Sequence, residues 1–167
     1  MKEIKRRIFS KKNQLNNRGE ARDYGKLFER VKGTYVGNLV IRDPFCGIVG
    51  NPRDSLKKFL KCIREIVPNL EKVTIYCKEQ HFKDERYQPS YVVQKELSED
   101  LRIDFPQLKD IIVNVIPFSH ARSFHDRSLE FAVINSDGGS EKFHYDLSGG
   151  IDYLVDKRRD TKVYFYK

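Results

Sequence analysis

The chain has 167 residues, of which 39% are hydrophobic and 34% are charged. This length suits one domain that buries a core without disulfides or metals, and the composition excludes an intrinsically disordered protein. The net charge of +8 at pH 7 favours polyanionic partners, although charge alone identifies no reaction.

Cysteine content and hydropathy restrict the setting of the protein. Cys46, Cys62 and Cys77 are odd in number and lie in apolar segments, so we interpret them as structural residues of a reducing compartment and not as a disulfide framework. Cys77 and His81 are too few ligands for a structural zinc site, so we expect no metal and no cofactor. No apolar segment is long enough to cross a bilayer, which predicts a soluble cytoplasmic protein.

Residues 1–18 form a basic segment with few apolar side chains. We predict that they are an N-terminal arm, separate from a single domain over residues 19–167. The arm either contacts phosphates or an acidic protein surface, or it only increases solubility.

The domain begins with a helix over Glu20–Val31, whose apolar residues recur at helical spacing and which Gly33 closes. A strand over Tyr35–Ile41 follows and runs into the loop Asp43-Pro44-Phe45. Functional sites of α/β proteins commonly form in loops at the ends of strands, so this loop is a candidate position for functional residues.

The next helix is predicted to be capped by Asn51, with Pro52 in its first turn. Its core-facing stripe consists of Leu56, Phe59, Leu60, Ile63, Ile66 and Val67. A strand over Val73–Cys77, a charged loop and a helix over Pro89–Asp104 come next. The segment Ile111–Ile116 is almost wholly apolar, which predicts a central strand covered on both faces.

The C-terminal third of the chain predicts antiparallel strands. The strands Arg127–Asn135 and Lys142–Ser148 are joined by a segment with an Asp-Gly pair, which favours a tight hairpin, and Val163–Tyr166 forms a last strand. The order β-α-β-α-β followed by antiparallel strands predicts an α/β fold with a mixed sheet flanked by helices.

His125 and Arg127 are the most informative residues of the chain. Residues i and i+2 of a strand point to the same face, so this pair places an imidazole, a potential nucleophile or base, beside a permanent cation, which suits a phosphodiester. The alternative is structural, namely a hydrogen-bonded histidine beside a solvated arginine. His120 and Arg122 repeat the spacing in the preceding connector, where we assign them a structural or auxiliary phosphate-binding role.

Three short motifs occur in the order known from one protein family. They are an aromatic helix that leads through a glycine and a strand to an Asp-Pro-aromatic corner, a His-Asp-Arg strand, and a Gly-hydrophobic-Asp-aromatic ending. In this chain they are Tyr24, Leu27, Phe28, Gly33 and Ile41-Arg42-Asp43-Pro44-Phe45; His125-Asp126-Arg127; and Gly150-Ile151-Asp152-Tyr153. The chain thereby resembles the C-terminal domain of MIT-domain-containing proteins, which has a phospholipase-D-like fold.

The resemblance implies where the function of the domain resides. Phosphate binding is assigned to His125, Arg127, Arg42, His120 and Arg122, and any catalysis to His125 and Arg127. The structural part of the motifs consists of Asp43, Pro44, Asp126, Gly150 and Asp152.

Similar domains are known on a human protein that works with the ESCRT membrane-remodelling machinery, where the domain looks non-catalytic and binds acidic phospholipids. They also occur on Lon-like ATPases of bacterial phage-defence loci. Neither an MIT helical bundle nor an ATPase is found in this sequence. The resemblance therefore implies a companion protein and an accessory role in a prokaryotic, phage-defence system.

Two functions follow from these residues. In active phospholipase-D-like enzymes the motif is His-x-Lys with a later Asp, whereas Arg127 replaces the Lys here and Ala132 stands where the Asp would fall. These departures favour a domain that binds nucleic acid or another phosphate-bearing polyanion, with an anionic membrane less favoured. The alternative is a metal-independent phosphodiesterase or nuclease, a homodimer in which two copies of the motif meet and His125 is the nucleophile. A scaffold without a site is a third interpretation.

Overall fold

The computed structural model describes residues 11–15, 23–79, 89–117, 120, 124, 126–156 and 161–166, with only the backbone described for 11–15. In chain order its elements are β1 (Lys11–Leu15), α1 (Tyr24–Leu27), β2 (Tyr35–Arg42), α2 (Asn51–Ile66), β3 (Lys72–Lys78), α3 (Ser90–Asp104), β4 (Asp110–Ile116), β5 (Ser128–Ile134), β6 (Ser140–Leu147), α4 (Ile151–Val155) and β7 (Thr161–Tyr166).

The strands form one mixed sheet in the order β1-β7-β6-β5-β2-β3-β4. β2, β3 and β4 run parallel, whereas every other neighbouring pair is antiparallel. The predicted mixed α/β architecture with a C-terminal hairpin is therefore confirmed. We call the end of the sheet at which β2, β3 and β4 finish, and at which β5 begins, the carboxyl end.

Alternation along the strands separates a buried sheet face from a more polar one. The core consists of every second strand residue, including Leu39, Ile41, Val73, Ile75, Cys77, Leu129, Phe131 and Tyr145. The helices pack against this face and contact one another, for example through Lys57 Nζ of α2, which lies 2.9 Å from Asp104 Oδ2 of α3. The described helices thus form a layer over the buried face.

Helix α2 supplies much of the core because its apolar residues recur at helical spacing. The predicted stripe is confirmed, since Leu56, Phe59, Leu60, Ile63 and Val67 are buried and Ile66 is partly buried against the core. Pro52 lies in the first turn as predicted. The cap differs from the prediction, because the helix begins at Asn51 itself and Gly50, with φ 98°, occupies the capping position.

Helix α1 is shorter than the predicted helix over Glu20–Val31. Asp23 caps it by accepting a hydrogen bond from Lys26 N at 2.9 Å. Phe28, which caps the C-terminus of this helix, then enters the core, where its ring meets the Tyr145 ring edge-on with 5.0 Å between the ring centres. Gly33 adopts φ 71°, a left-handed conformation that suits the predicted end of this segment.

The position predicted for the apolar strand was wrong, because β4 is the last strand of the sheet and Ile112 is 38% exposed. Its free edge is covered by α3 instead. Gln94 Oε1 accepts a hydrogen bond from Val115 N at 3.4 Å, and Arg102 Nη2 donates to Ile111 O at 3.0 Å. Cover of this edge by a helix explains how an apolar strand can lie at the end of the sheet.

Two elements were not predicted. β1 pairs antiparallel with β7, so Lys11–Leu15 of the predicted arm belong to the sheet, while the rest of residues 1–18 lies outside the described residues. Helix α4 (Ile151–Val155) lies in the Gly-hydrophobic-Asp-aromatic motif.

None of the helices in the described ranges combines the length and apolar composition needed to span a bilayer.

Candidate functional site

Asp43 joins the loop after β2 to the start of α4. The side chain is 2% exposed, and its Oδ1 accepts a hydrogen bond from Phe45 N at 2.9 Å. Its Oδ2 accepts a hydrogen bond from Ile151 N at 2.7 Å, across 108 residues of sequence. Hydrogen bonds to an ionised acceptor are stronger than neutral ones, so this buried carboxylate holds two chain segments together at the carboxyl end of the sheet.

Gly150 makes room for the Asp43 carboxylate. A Cβ atom at this position would lie 3.0 Å from Asp43 Oδ2 and 2.5 Å from Asp152 Oδ1, so a side chain would displace both acids. Pro44 O accepts a hydrogen bond from Lys78 N at 3.0 Å, which ties the loop to β3 as well. Asp152 lies in the first turn of α4, where its carbonyl accepts from Asp156 N.

Arg53 fixes the second half of the same loop. Its Nε and Nη2 donate to Gly47 O at 3.2 and 2.9 Å, and its Nη1 lies 3.5 Å from Asp100 Oδ2 of α3. Arg53 as a whole is 6% exposed. A Cβ on Gly47 would lie 2.8 Å from Cys77 Sγ, so the loop packs closely on β3. The loop is therefore held from the sheet side and from the helix side.

The Cys46 thiol of this loop is not activated. Cys46 and Cys77 are buried, and all three cysteines are free. A hydrogen bond with Cys77, followed by burial, raises the pKa of the Cys46 thiol well above its usual value. A thiol is a poor nucleophile compared with the thiolate, so Cys46 fits the structural role that the sequence predicted.

Three cations converge on aromatic rings at the carboxyl end of the sheet. Lys78 Nζ lies 4.9 Å from the centre of the Phe45 ring, and Arg127 Cζ lies 5.5 Å from the same centre. Arg42 Cζ lies 4.3 Å from the centre of the Tyr76 ring. These are distances at which a cation is attracted to the ring face.

The side chains of the three cations project from both faces of the sheet. Arg127 O accepts a hydrogen bond from Leu147 N at 2.8 Å, so Arg127 continues the β5 ladder and shares the buried face of Leu129. Arg42 follows the buried Ile41 and therefore projects from the opposite face, as does Lys78 after the buried Cys77. The Phe45 ring lies beyond the strand ends, where it meets one cation from each face.

These cations have no acidic partner among the residues that the structure describes. Arg42, Lys78 and Arg127 form no ion pair there, whereas other basic residues do, among them Arg53, Lys57, Arg102, Lys109 and Lys142. Arg127 Nε is buried and, within the described ranges, has no hydrogen-bond acceptor. An unpaired buried donor is costly, so it marks this edge as a place where an anion would be stabilised.

The remaining residues predicted for the site are placed as follows. His120 is exposed in a turn after β4, and its backbone N donates to Pro117 O at 2.9 Å. Asp126 is exposed and directly precedes Arg127. His125 and Arg122 lie outside the described residues, so the predicted same-face pair of His125 and Arg127 stays a prediction.

Lys78, Tyr76 and the exposed ring of Phe45 were not predicted as site residues. One signal could have identified Lys78, because it ends a strand parallel to β2 and the carboxyl ends of parallel strands meet at one edge. The described residues contain no group of three or more histidine, cysteine or acidic side chains that could hold a metal ion.

No family model and no curated protein sequence matches the chain. Among solved structures, the chain is similar to the crystal structure of polyphosphate kinase from Porphyromonas gingivalis, with a TM-score of 0.50 and 11% sequence identity. The similarity covers 97% of this chain but only 24% of the kinase. That kinase has a phospholipase-D-like fold, and at this identity the likeness concerns the fold alone. The chain therefore has a phospholipase-D-like fold, built on a mixed sheet with a helical layer.

Proposed function

We propose that this chain is a binding domain for phosphate-bearing polyanions, and that the ligand lies against Arg42, Lys78 and Arg127 at the carboxyl end of the sheet. The observation that carries the proposal is the convergence of these three cations, without an acidic partner in the described part of the chain, on the rings of Phe45 and Tyr76.

The electrostatics of this edge support an anionic ligand. Arg127 keeps a buried Nε without an acceptor in the described ranges, which costs about 1–3 kcal/mol unless an acceptor is supplied. A guanidinium can grip two oxygens of one phosphate, and a lysine adds a point charge beside it. Asp43 forms no ion pair with these cations in the described part of the chain, and its two oxygens accept hydrogen bonds from Phe45 N and Ile151 N.

The loop geometry supports binding without a large rearrangement. Asp43 and Arg53 fix the segment that carries Phe45, Asp43 through Phe45 N and Ile151 N and Arg53 through Gly47 O. A site whose parts are already fixed loses less conformational entropy when its ligand binds.

Binding of biotinylated linear polyphosphate to the purified chain, measured by biolayer interferometry over a range of NaCl concentrations, tests the proposal. Polyphosphate presents phosphates without bases or lipid chains, so it probes the anion site alone. We expect Arg127→Gln and Lys78→Gln each to weaken binding about tenfold, the size of one lost charged hydrogen bond.

The matched control is Lys95→Gln, which removes a lysine that is 75% exposed on α3 and lies 4.0 Å from Glu99 Oε1, and that is on none of the strands or loops that carry the three cations. We expect this variant to bind within about twofold of the original chain, because an exposed lysine that already pairs with Glu99 contributes little to binding. Equal weakening by all three substitutions would show diffuse attraction to a basic surface. Absence of polyphosphate binding at low salt would refute the proposed function.

The finer predictions made from the sequence stay predictions. They are membership of the MIT C-terminal domain family, docking to a companion protein, an accessory role in phage defence, a homodimer and a cytoplasmic location. The nuclease alternative also stays a prediction, because it depends on His125, which lies outside the described residues.

A further inference from the structure

An aromatic ring stands exposed at the centre of the proposed anion site. Phe45 is 38% exposed although its neighbours Asp43 and Cys46 are buried. Its backbone is fixed, since Phe45 N donates to Asp43 Oδ1 at 2.9 Å and Phe45 O accepts from Ile48 N at 3.0 Å. The ring is therefore held at the surface by its loop.

The surroundings of the ring suit a ligand that alternates flat rings with negative charges. Lys78 Nζ at 4.9 Å and Arg127 Cζ at 5.5 Å come to the ring from different faces of the sheet. In a nucleic acid strand every base lies between two phosphates of its backbone. A base stacked on Phe45 would direct the two flanking phosphates toward these two cations.

A second aromatic-cation pair lies on the adjacent strands. Arg42 Cζ lies 4.3 Å from the Tyr76 ring, and Tyr76 and Lys78 project from the same face of β3. The Lys78–Phe45 and Arg42–Tyr76 pairs thus lie at the same end of the sheet, where they could bind consecutive nucleotides of one strand. A linear polyphosphate or a free phosphate has no group that would use the rings.

We propose that the Phe45 ring is a stacking surface for an unpaired nucleobase, and that the polyanion bound by this domain is single-stranded nucleic acid. This inference rests on the proposed function. Bases of a duplex are stacked on one another and are not free to contact the ring, so single strands are preferred over duplexes. Stacking tolerates any base, so little sequence preference is expected.

The experiment compares a fluorescein-labelled single-stranded oligonucleotide with an abasic oligomer of the same length and phosphate number, by fluorescence anisotropy. The variant Phe45→Leu removes the ring and keeps an apolar side chain, whereas Phe45→Tyr keeps a ring. Tyr91→Leu, at a ring that is 73% exposed on α3, controls for the loss of an exposed aromatic residue elsewhere.

We expect the original chain to bind the oligonucleotide more tightly than the abasic oligomer. Phe45→Leu should weaken oligonucleotide binding about tenfold and leave abasic binding unchanged, as expected for one lost stacking contact. Phe45→Tyr and Tyr91→Leu should bind like the original chain. Phe45→Leu should leave binding of the duplex form of the oligonucleotide unchanged, because its bases are not free to contact the ring.

Three results would overturn the inference. The first is equal binding of the oligonucleotide and the abasic oligomer, and the second is an equal effect of Phe45→Leu on both. The third is Phe45-dependent binding to vesicles of anionic phospholipid with no dependence on bases. If polyphosphate still binds in an Arg127-dependent manner, these results leave the proposed function standing, whereas loss of binding to every polyanion refutes both.

Discussion

Asp43 shows at the scale of one residue how the carboxyl end of the sheet is held together. Its two carboxylate oxygens accept hydrogen bonds from Phe45 N and Ile151 N, in a position that is 2% exposed. Removing one acceptor leaves a buried N–H group without a partner, and such a group loses its hydration without compensation. The residue is therefore expected to contribute to stability before it contributes to binding.

The substitution Asp43→Asn tests this role. The amide offers one acceptor where the carboxylate offers two, so we expect the free energy of unfolding in urea to fall by about 1–3 kcal/mol. The matched control is Asp126→Asn, an exposed carboxylate, which should change the same quantity by less than about 0.5 kcal/mol. Equal effects of the two substitutions would contradict the role assigned to Asp43.

Tyr145 carries a prediction about pH. Its side chain is 1% exposed, and its hydroxyl has no hydrogen-bond partner within the described ranges. Burial raises the pKa of this phenol from 10.0 to about 12. Because the folded state disfavours the phenolate, the resulting stability is fully present below pH 10 and is lost as the pH rises toward 12.

Replacement by phenylalanine should remove this pH dependence. Between pH 9 and pH 11, we expect the free energy of unfolding of the original chain to fall by about 1.4 kcal/mol relative to that of Tyr145→Phe. This is because pH 11 lies one unit above the unfolded-state pKa of 10.0, and one pH unit corresponds to that energy. Urea unfolding at both pH values measures the difference. The control is Phe131→Leu, a core substitution that removes no ionisable group, so its difference from the original chain in free energy of unfolding should be the same at both pH values. If the difference in free energy of unfolding between the original chain and Tyr145→Phe were the same at both pH values, the pH dependence would not come from Tyr145.

At the scale of elements, the fold was predicted wherever one local pattern determines an element. The stripe of α2 and the Asp-Gly turn between β5 and β6 are such patterns, since periodicity and turn chemistry act over a few residues. Gly138 has φ 85° in that turn, and Gly139 N donates to Asp137 Oδ1 at 2.8 Å. Both elements lie where the sequence predicted them.

The elements that were missed or misplaced depend on contacts between distant parts of the chain. β1 is polar and basic, and it is a strand because β7 pairs with it. β4 is apolar at an edge of the sheet because Gln94 and Arg102 of α3 cover its free groups. The same limit applies to the site. The sequence identified Arg42 and Arg127, but the contact of Lys78 with Phe45 follows from the parallel pairing of β2 and β3.

The connection from α2 to the loop after β2 leads to a prediction about Arg53. Its buried guanidinium donates twice to Gly47 O and approaches Asp100 of α3, so it joins two helices and the loop. Arg53→Met leaves Gly47 O without these donors and should reduce the free energy of unfolding by about 3 kcal/mol. Arg53→Lys keeps the positive charge and an ammonium donor. Its free energy of unfolding should therefore lie between that of the original chain and that of Arg53→Met.

The control for Arg53 lies on the same helix. Lys58 is exposed, so Lys58→Met should change the free energy of unfolding by less than about 0.5 kcal/mol. Urea unfolding of the three variants measures these values. If Arg53→Met were as stable as Lys58→Met, the loop would be held by its other contacts alone, and Arg53 would have no anchoring role.

For the whole molecule, the question is whether its charge attracts polyanions diffusely or at one place. The 32 basic residues exceed the 24 acidic residues, and a net charge of this size accelerates encounter with any polyanion. Diffuse attraction predicts that each exposed lysine contributes similarly. A site at the carboxyl end predicts that Arg42, Lys78 and Arg127 release counterions from the ligand, whereas lysines elsewhere do not.

The salt dependence of binding separates these cases. For a single-stranded oligonucleotide, the slope of log K against log salt concentration should become shallower by about 0.7 for Lys78→Ala and for Arg127→Ala, because each removes one phosphate contact. The slope for Lys95→Ala should match that of the original chain, since Lys95 lies on α3 and is paired with Glu99 at 4.0 Å. Anisotropy titrations at a series of NaCl concentrations give these slopes. An equal reduction for all three variants would mean that the ligand is held by the charge of the whole surface, and the carboxyl end would then be a structural junction built around Asp43.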